Sequence, residues 1–124
     1  MVKNLGIKKE TKNNVMNTEL TIAEKLKAIE KTILEKIQVK SIYLFGSYAY
    51  GNPNENSDIN IYAVVPDNVE NDILLTTGKI AYSLYKQHIY KVDLFLVRER
   101  NFLDYKQYSS FEQHICEKGV LLYG

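Results

Sequence analysis

Apolar residues recur at three- and four-residue intervals over residues 22–37, with lysines and glutamates between them. This spacing predicts an amphipathic helix whose apolar face packs against a core. Thr21 and Glu24 stand three residues apart at the start of that stripe. Because this is the spacing of a reciprocal capping box, the helix is predicted to begin at Thr21. The apolar stripe consists of Ile22, Leu26, Ile29, Ile33 and Ile37.

Beyond this helix the pattern changes to short apolar runs that are typical of strands. Two more apolar periodic segments predict helices over residues 70–88 and 101–118, and Gly119 is placed to end the second. Together these elements predict an α/β (α+β) fold, with a mixed sheet of four strands and flanking helices. The predicted strands cover residues 41–46, 58–65, 90–97 and 120–123.

The polar residues at the strand ends predict how the strands run. Ser47 follows the first strand and Asp58 opens the second, so an antiparallel pair brings these two residues together. The second and third strands are joined through a helix, which favours a parallel pair with a right-handed crossover and sets Asp93 beside residues 58–60. Side-chain alternation places Asp58 and Asn60 on one face of the second strand. Three distant segments are therefore predicted to converge on one site.

The length and charge of the chain limit its class. Its 124 residues are enough for one domain, which we predict over residues 18–124 after a mobile N-terminal arm of residues 1–17. With a net charge of +1, the chain does not have the excess of basic residues that is typical of nucleic-acid binders. A local basic patch is still compatible with this total. A single cysteine, Cys116, predicts a reducing, cytoplasmic setting, and the apolar stretches are too short to predict a membrane span.

The segment after the first strand carries residue types that suit a nucleotide bound with a divalent cation. Gly46 and Ser47 offer backbone N–H groups and a hydroxyl to phosphate oxygens, while Asp58 offers a hard oxygen ligand to Mg²⁺. Asp93 lies in an apolar run that predicts a buried strand, where an unpaired carboxylate is costly unless it binds a metal. A Gly-Ser pair alone is most simply a turn, but the combination of these four residues favours a nucleotide site.

This arrangement resembles the polymerase-beta-like nucleotidyltransferases in their minimal, single-domain form, whose pattern is an apolar strand, Gly-Ser, a spacer, Asp-x-Asp and a third Asp on a later strand. The resemblance implies that Gly46 and Ser47 hold the outer phosphates of ATP or another nucleoside triphosphate. It implies that Asp58 and Asn60 occupy the paired positions for Mg²⁺ or Mn²⁺, and that Asp93 is the nucleophile-side carboxylate and a candidate base. Asp58 and Asp93 are thus the expected catalytic residues.

Asn60 departs from that pattern, because the family has the second aspartate of Asp-x-Asp at this position. Its amide still presents a carbonyl oxygen, but it adds no charge where two cations are expected to bind. A second departure is the Tyr-Ala-Tyr-Gly of residues 48–51, where many relatives carry an arginine that would add a positive charge near phosphate. Both departures predict weakened turnover.

Two functions are open at this stage, together with a domain that neither binds nucleotide nor reacts. The first is transfer of a nucleoside monophosphate, with AMP favoured, from a nucleoside triphosphate to a hydroxyl acceptor. The alternative is a catalytically degraded nucleotide-binding or antitoxin-like module. The resemblance implies that such a module acts with a helical partner of the HEPN type, as minimal nucleotidyltransferases often do in toxin–antitoxin pairs. Assembly into a homo-oligomer is open as well.

Overall fold

The computed structural model describes residues 19–124, so the predicted N-terminal arm of residues 1–17 lies outside the described residues. A four-stranded sheet carries helices on both faces, which confirms the predicted α/β class. None of the helices in this part of the chain combines the length and apolar character needed to cross a bilayer. The helices are α1 (Ile22–Lys36), α2 (Ser47–Tyr50), α3 (Ile73–Lys86), α4 (Glu99–Tyr108) and α5 (Ser110–Lys118). The strands are β1 (Ser41–Phe45), β2 (Ile59–Val65), β3 (Val92–Arg98) and β4 (Val120–Tyr123).

α1 begins at the predicted capping box. The Glu24 N–H donates to Oγ1 of Thr21 over 3.1 Å, and the Thr21 N–H donates to Oε1 of Glu24 over 2.8 Å. These two bonds satisfy amides that a helix N-terminus otherwise leaves without partners. Ile29 and Ile33 lie on the side of α1 that faces the core, and both are fully buried. The predicted apolar stripe is therefore confirmed as core packing, except at Ile22, whose side chain is exposed.

The sheet has the strand order β3-β2-β1-β4. β1 is antiparallel to β2 and to β4, whereas β2 and β3 are parallel and joined through α3, as the strand ends predicted. In the register, Phe45 of β1 lies opposite Asn60 of β2, and Asn60 lies beside Asp93 of β3. The C-terminal end of β1 therefore meets the N-terminal ends of β2 and β3 at the same end of the sheet.

Side-chain alternation along β2 contributes to two cores, one on each face of the sheet. Ile61 is fully buried in a core with α1 and α3. Tyr62 is fully buried on the opposite face, where Phe102 of α4 and Ile115 of α5 pack against the sheet. α1 and α3 thus cover one face, and α4 and α5 cover the face that Asn60 shares with Tyr62.

The prediction of one helix over residues 101–118 is wrong, because Ser109 divides the segment into α4 and α5. The Ser109 N–H donates to the Tyr105 carbonyl over 2.6 Å and closes α4. The Ser109 hydroxyl then accepts the Phe111 N–H over 3.2 Å and caps α5. Because of the break, two short helices pack into the same core. One straight helix would cover only part of a twisted sheet.

β3 lies at an edge of the sheet, and this position corrects the prediction of a buried strand. Leu96 is the one buried residue of β3, and Asp93 is exposed. A continuous apolar run predicts burial only when both faces of a strand are covered, and the faces of this edge strand are covered in part. An exposed carboxylate is hydrated at little cost, so burial gives no reason to expect a metal at Asp93. What brings Asp93 into a site is the register of the strands.

A buried hydrogen bond between β2 and α5 joins two polar groups of the second core. The Tyr62 hydroxyl donates to Oε2 of Glu112 over 3.0 Å, and both side chains are buried. The pKa of Tyr62 is raised well above its ordinary value of about 10. Burial is the largest cause, and the hydrogen bond to Glu112 is the second. The neutral, hydrogen-bonded phenol is thus the form that the fold requires.

Replacing Tyr62 with phenylalanine is expected to lower the free energy of unfolding at neutral pH by about 1–3 kcal/mol, because Glu112 loses its buried donor. Above pH 10 the folded state keeps the Tyr62 proton while the unfolded state releases it. The contribution of Tyr62 to stability therefore falls by about 1.4 kcal/mol for each pH unit above about 10, in line with its raised pKa.

Urea unfolding between pH 7 and pH 11 checks both effects, with Tyr108→Phe as the control at an exposed tyrosine. The wild-type chain and the control are expected to lose stability more steeply at high pH than Tyr62→Phe. Equal slopes in all three proteins would contradict the predicted pKa linkage.

Candidate active site

The candidate site lies where β1 ends and where β2 and β3 begin. Gly46 follows β1 directly with φ +82° and ψ −164°, a conformation that residues other than glycine rarely adopt. A Cβ at this position would also collide with the side-chain amide of Asn60. Glycine is therefore needed at position 46 for its backbone conformation, and its missing Cβ leaves the Asn60 side chain in the place where the structure has it.

Asp93 lies next to Asn60 in the neighbouring strand. The two residues are partners in the register of the parallel β2–β3 pair, where strands run about 4.8 Å apart. Alternation along β3 places Asp93 on the same face as Val97, which packs against the core of Tyr62. The structure thus brings Gly46, Asn60 and Asp93 into one row across the ends of three neighbouring strands. We call this the Gly46–Asn60–Asp93 row.

Asp58 stands immediately before β2 and is exposed. The loop before it is closed by its own hydrogen bonds, one of which runs from the Asn54 N–H to Oγ of Ser57 over 2.8 Å. The Ile59 N–H donates to the Lys91 carbonyl over 2.9 Å, so the pairing of β2 with β3 begins directly after Asp58. Asp58 is thereby placed at the same end of the sheet as the Gly46–Asn60–Asp93 row.

Ser47 is the first residue of α2, a helix that was not predicted because four residues are too few to show a periodic apolar pattern. The Ala49 and Tyr50 N–H groups donate to the Gly46 carbonyl, so the amides before them are the ones that could donate to an anion together with the serine hydroxyl. Tyr50 packs edge-on against His114 of α5, with 5.2 Å between the ring centroids. This contact ties α2, and with it the Gly46-Ser47 turn, to the rest of the fold.

The groups at this end of the sheet that could bind a metal are carboxylate and amide oxygens. In the described part of the chain the one ion pair joins Lys40 to Glu99 over 3.0 Å, so it leaves Asp58 and Asp93 out. Within those same residues no three His, Cys, Asp or Glu side chains lie close enough together to hold a metal. The candidate donors are the two carboxylates of Asp58 and Asp93 and the amide of Asn60. These are oxygen ligands of the kind that Mg²⁺ and Mn²⁺ take, with one negative charge fewer than three carboxylates would supply.

Replacing Gly46 with alanine is expected to lower the free energy of unfolding by about 3 kcal/mol, mainly through backbone strain, because φ +82° with ψ −164° is a conformation for glycine alone. Gly51→Ala is the control, because Gly51 has φ +85° and ψ 14°, in the left-handed helical region, and a Cβ there would meet nothing within 4 Å of the described residues. The control is expected to lose about 1 kcal/mol. Urea unfolding gives both values, and equal losses would contradict the special requirement for glycine at position 46.

Residues 26–120, which include the candidate site, match the family model described as "Nucleotidyltransferase domain". The chain belongs to this nucleotidyltransferase family. The predicted fold and the resemblance to nucleotidyltransferases are thereby confirmed, whereas the roles of the individual site residues stay predictions.

A curated relative supports the same family. "Putative protein adenylyltransferase MJ1379" of Methanocaldococcus jannaschii is 45% identical over 53 residues, which make up 43% of this chain. The matched region spans about half of that relative's own length, 53%.

Two solved structures are similar to this nucleotidyltransferase chain in fold and sequence. One is a toxin–antitoxin with AMP-PNP, with 28% identity and a TM-score of 0.56. The other is the toxin–antitoxin MntA-HpeT with two aspartate-to-glutamate substitutions, with 26% identity and a TM-score of 0.53. Each similarity covers 80% of this chain and 73% of the other.

Proposed function

We propose that this chain is a metal-dependent nucleotidyltransferase that transfers AMP from ATP to a hydroxyl group of an acceptor protein. The observation that carries the proposal is the Gly46–Asn60–Asp93 row in a chain of the nucleotidyltransferase family. The relative with the name of a protein adenylyltransferase supports AMP as the transferred group and a protein as the acceptor. Asn60 lowers the rate, because it supplies no charge to the metal-binding set.

Gly46 and Ser47 hold the outer phosphates of ATP in this proposal, through backbone N–H groups and the serine hydroxyl. The acceptor hydroxyl attacks the α-phosphorus and forms a new P–O bond. The bond from the α-phosphorus to the oxygen that bridges to the β-phosphorus breaks, and pyrophosphate leaves. The hydroxyl proton passes to the carboxylate of Asp93, which is exposed and accessible to an acceptor.

Asp58, Asn60 and Asp93 are the residues that would hold Mg²⁺ or Mn²⁺. Such ions, when bound, would neutralise negative charge on the phosphates. The donor set suits one hard cation, since all its ligands are oxygens. It suits a pair of cations less well, because Asn60 is uncharged. We expect turnover to suffer more than nucleotide binding, since the missing charge matters most when charge develops in the transition state.

A second function, that of an antitoxin-like module, is favoured by Asn60 and by the similarity to two toxin–antitoxin structures, one of them with AMP-PNP. In this proposal the chain binds a nucleoside triphosphate without turning it over, and it acts with a separately encoded helical partner of the HEPN type. Both proposals keep the cytoplasmic setting that the single cysteine predicts.

ATP labelled on either the α- or the γ-phosphate tests the first proposal. The chain is incubated with Mg²⁺ or Mn²⁺ and candidate acceptor proteins, and label on the acceptors is measured. Transfer of AMP deposits the α label but not the γ label, whereas transfer of the terminal phosphate deposits only the γ label. No α label on any acceptor, from either the wild-type chain or Asn60→Asp, would overturn the proposed transfer.

Thermal unfolding with ATP and Mg²⁺ or Mn²⁺ separates the antitoxin-like module from an inert domain. A ligand at 100 times its dissociation constant raises the free energy of unfolding by about 2.7 kcal/mol. Stabilisation without transfer, with a helical partner that copurifies when the two genes are expressed together, supports the second proposal. If no nucleoside triphosphate stabilises the chain with either metal, both the transferase proposal and the antitoxin-like proposal are contradicted.

A further inference from the structure

The outer face of α3 exposes large apolar side chains to solvent. Lys86 lies over the ring of Tyr82, and the ring of Tyr85 packs edge-on against Tyr90, but both tyrosines stay exposed. Leu74 is 84% exposed and Leu75 is 58% exposed in the first turn of the helix. Tyr82 and Tyr85 are 62% and 63% exposed near its end. Leu74, Leu75 and Tyr82 line a shallow groove of about 500 Å³ on this face together with Asp72, Gly78 and Lys79. We call Leu74, Leu75, Gly78, Tyr82 and Tyr85 the α3 outer face.

α3 is apolar on both of its sides. Its inner side is buried against α1 and the sheet through Thr76, Ile80 and Leu84, on the face opposite the candidate site. At 100° per residue, Gly78 and Tyr82 point almost directly away from Ile80. Thr77, Lys79 and Ser83 lie between these two sides, so α3 carries two separate apolar stripes, and an exposed apolar patch on a protein surface often marks an interaction site. The α3 outer face is therefore the kind of surface that another molecule covers.

Gly78 lies at the middle of the α3 outer face, and a Cβ there would meet nothing within 4 Å. Glycine weakens the middle of a helix relative to alanine, so neither helix propensity nor packing against the described residues 19–124 explains it. A glycine does allow another helix to approach closely at that point. Leu74 stands four residues before Gly78 and Tyr82 four residues after it.

This placement makes the α3 outer face complementary to itself. If a second α3 crosses the first at Gly78 in the antiparallel direction, Leu74 meets the partner subunit's Tyr82 and Tyr82 meets the partner subunit's Leu74. Two-fold symmetry requires such reciprocal pairing of one patch with its own copy.

The charges at the two ends of α3 fit the same antiparallel arrangement. Glu70 precedes the helix by three residues, whereas Lys86 is its last residue, and both are exposed. In an antiparallel pair, the end of one helix that Glu70 precedes therefore lies beside the end of the other helix that carries Lys86. Antiparallel helices also set opposite ends of their dipoles side by side. A parallel pair would place like charges together at both ends.

We propose that two copies of this chain form a dimer in which their α3 helices cross in the antiparallel direction around a two-fold axis at Gly78. The contact buries Leu74, Leu75, Tyr82 and Tyr85 of each copy. Because α3 covers the face of the sheet opposite the Gly46–Asn60–Asp93 row, both candidate sites stay open in the dimer. The proposal is independent of whether the chain transfers a nucleotide.

A charge exchange across the axis tests the dimer. Sedimentation of the full wild-type chain at micromolar concentrations is expected to give about twice the 14.4 kDa of one chain. Leu74→Glu alone and Tyr82→Lys alone are each expected to raise the dissociation constant of the dimer at least about tenfold. The double variant is expected to regain the dimer, because each new glutamate then meets a new lysine on the other copy. Leu34→Glu, at a partly exposed leucine of α1, is the control and should leave the dimer intact.

Crosslinking measures the position of the axis independently. Gly78→Cys, in a chain whose exposed Cys116 is replaced by serine, is expected to form a disulfide-linked dimer on mild oxidation. Lys31→Cys, on the exposed side of α1, should not.

Several results would overturn the proposal. These are a wild-type chain that stays monomeric, a dimer that survives both single substitutions, and a double variant that stays monomeric although thermal unfolding shows it folded. A chain that is monomeric alone and uses α3 only to bind a different helical protein would overturn it too.

Discussion

Replacing Asn60 with aspartate is expected to increase nucleotidyl transfer between about 5-fold and 1,000-fold. Two unit charges 4 Å apart interact with about 1 kcal/mol in water and about 4 kcal/mol at an effective dielectric constant of 20, and these limits give that range. Asn60 is partly buried, so the effective dielectric constant around it lies between these two values. Asparagine and aspartate have the same shape, so the close packing over Gly46 is kept. The gain should therefore come from charge alone.

The gain is measured as label transferred from the α-phosphate of ATP, alongside a titration of Mg²⁺ or Mn²⁺ into each protein. Asn68→Asp is the matched control, because it adds the same charge at an exposed position beyond the opposite end of β2. We expect Asn60→Asp to bind the metal more tightly and to transfer faster, and Asn68→Asp to do neither. Tighter metal binding with no gain in transfer would favour the antitoxin-like module over the enzyme.

Replacing Asp93 with asparagine is expected to reduce transfer by about 10²–10⁴-fold, the usual contribution of a general base. It should leave the fold intact, because Asp93 is exposed on an edge strand. Nucleotide binding should fall less than turnover, because proton transfer is part of the transition state and not of the ground state.

The experiment is best made in the Asn60→Asp chain, where the starting rate is expected to be higher. Asp104→Asn, which removes an exposed carboxylate from α4, is the control for loss of charge. Transfer that survives Asp93→Asn unchanged, with Asp104→Asn equally active, would exclude Asp93 as the proton acceptor.

Local patterns in the sequence predicted the elements whose signals are themselves local. The Thr21–Glu24 capping box and the Ile29–Ile33 stripe are confirmed, because a helix repeats every 3.6 residues and its cap is made within one turn. The parallel β2–β3 pair is confirmed as well, since a helical crossover leaves little other choice.

Other features were missed because they depend on neighbours that are distant in sequence. The apolar run around Asp93 predicted a buried strand, but its position at the edge of the sheet leaves it partly exposed. The apolar pattern over residues 70–88 predicted a helix but gave no sign that Leu74 lies on its outer face. Burial depends on what covers a residue, and periodicity alone does not carry that information.

The sequence by itself determined that a glycine, a serine, two aspartates and an asparagine with nucleotidyltransferase spacing occur in one α/β domain. Only the tertiary structure decided that Gly46, Asn60 and Asp93 share one row, and that the side chain of Asn60 fills the space over Gly46. The physical reason is that strand register sets which distant side chains become neighbours. A shift of one residue would turn Asn60 to the opposite face, toward the core of α1 and α3.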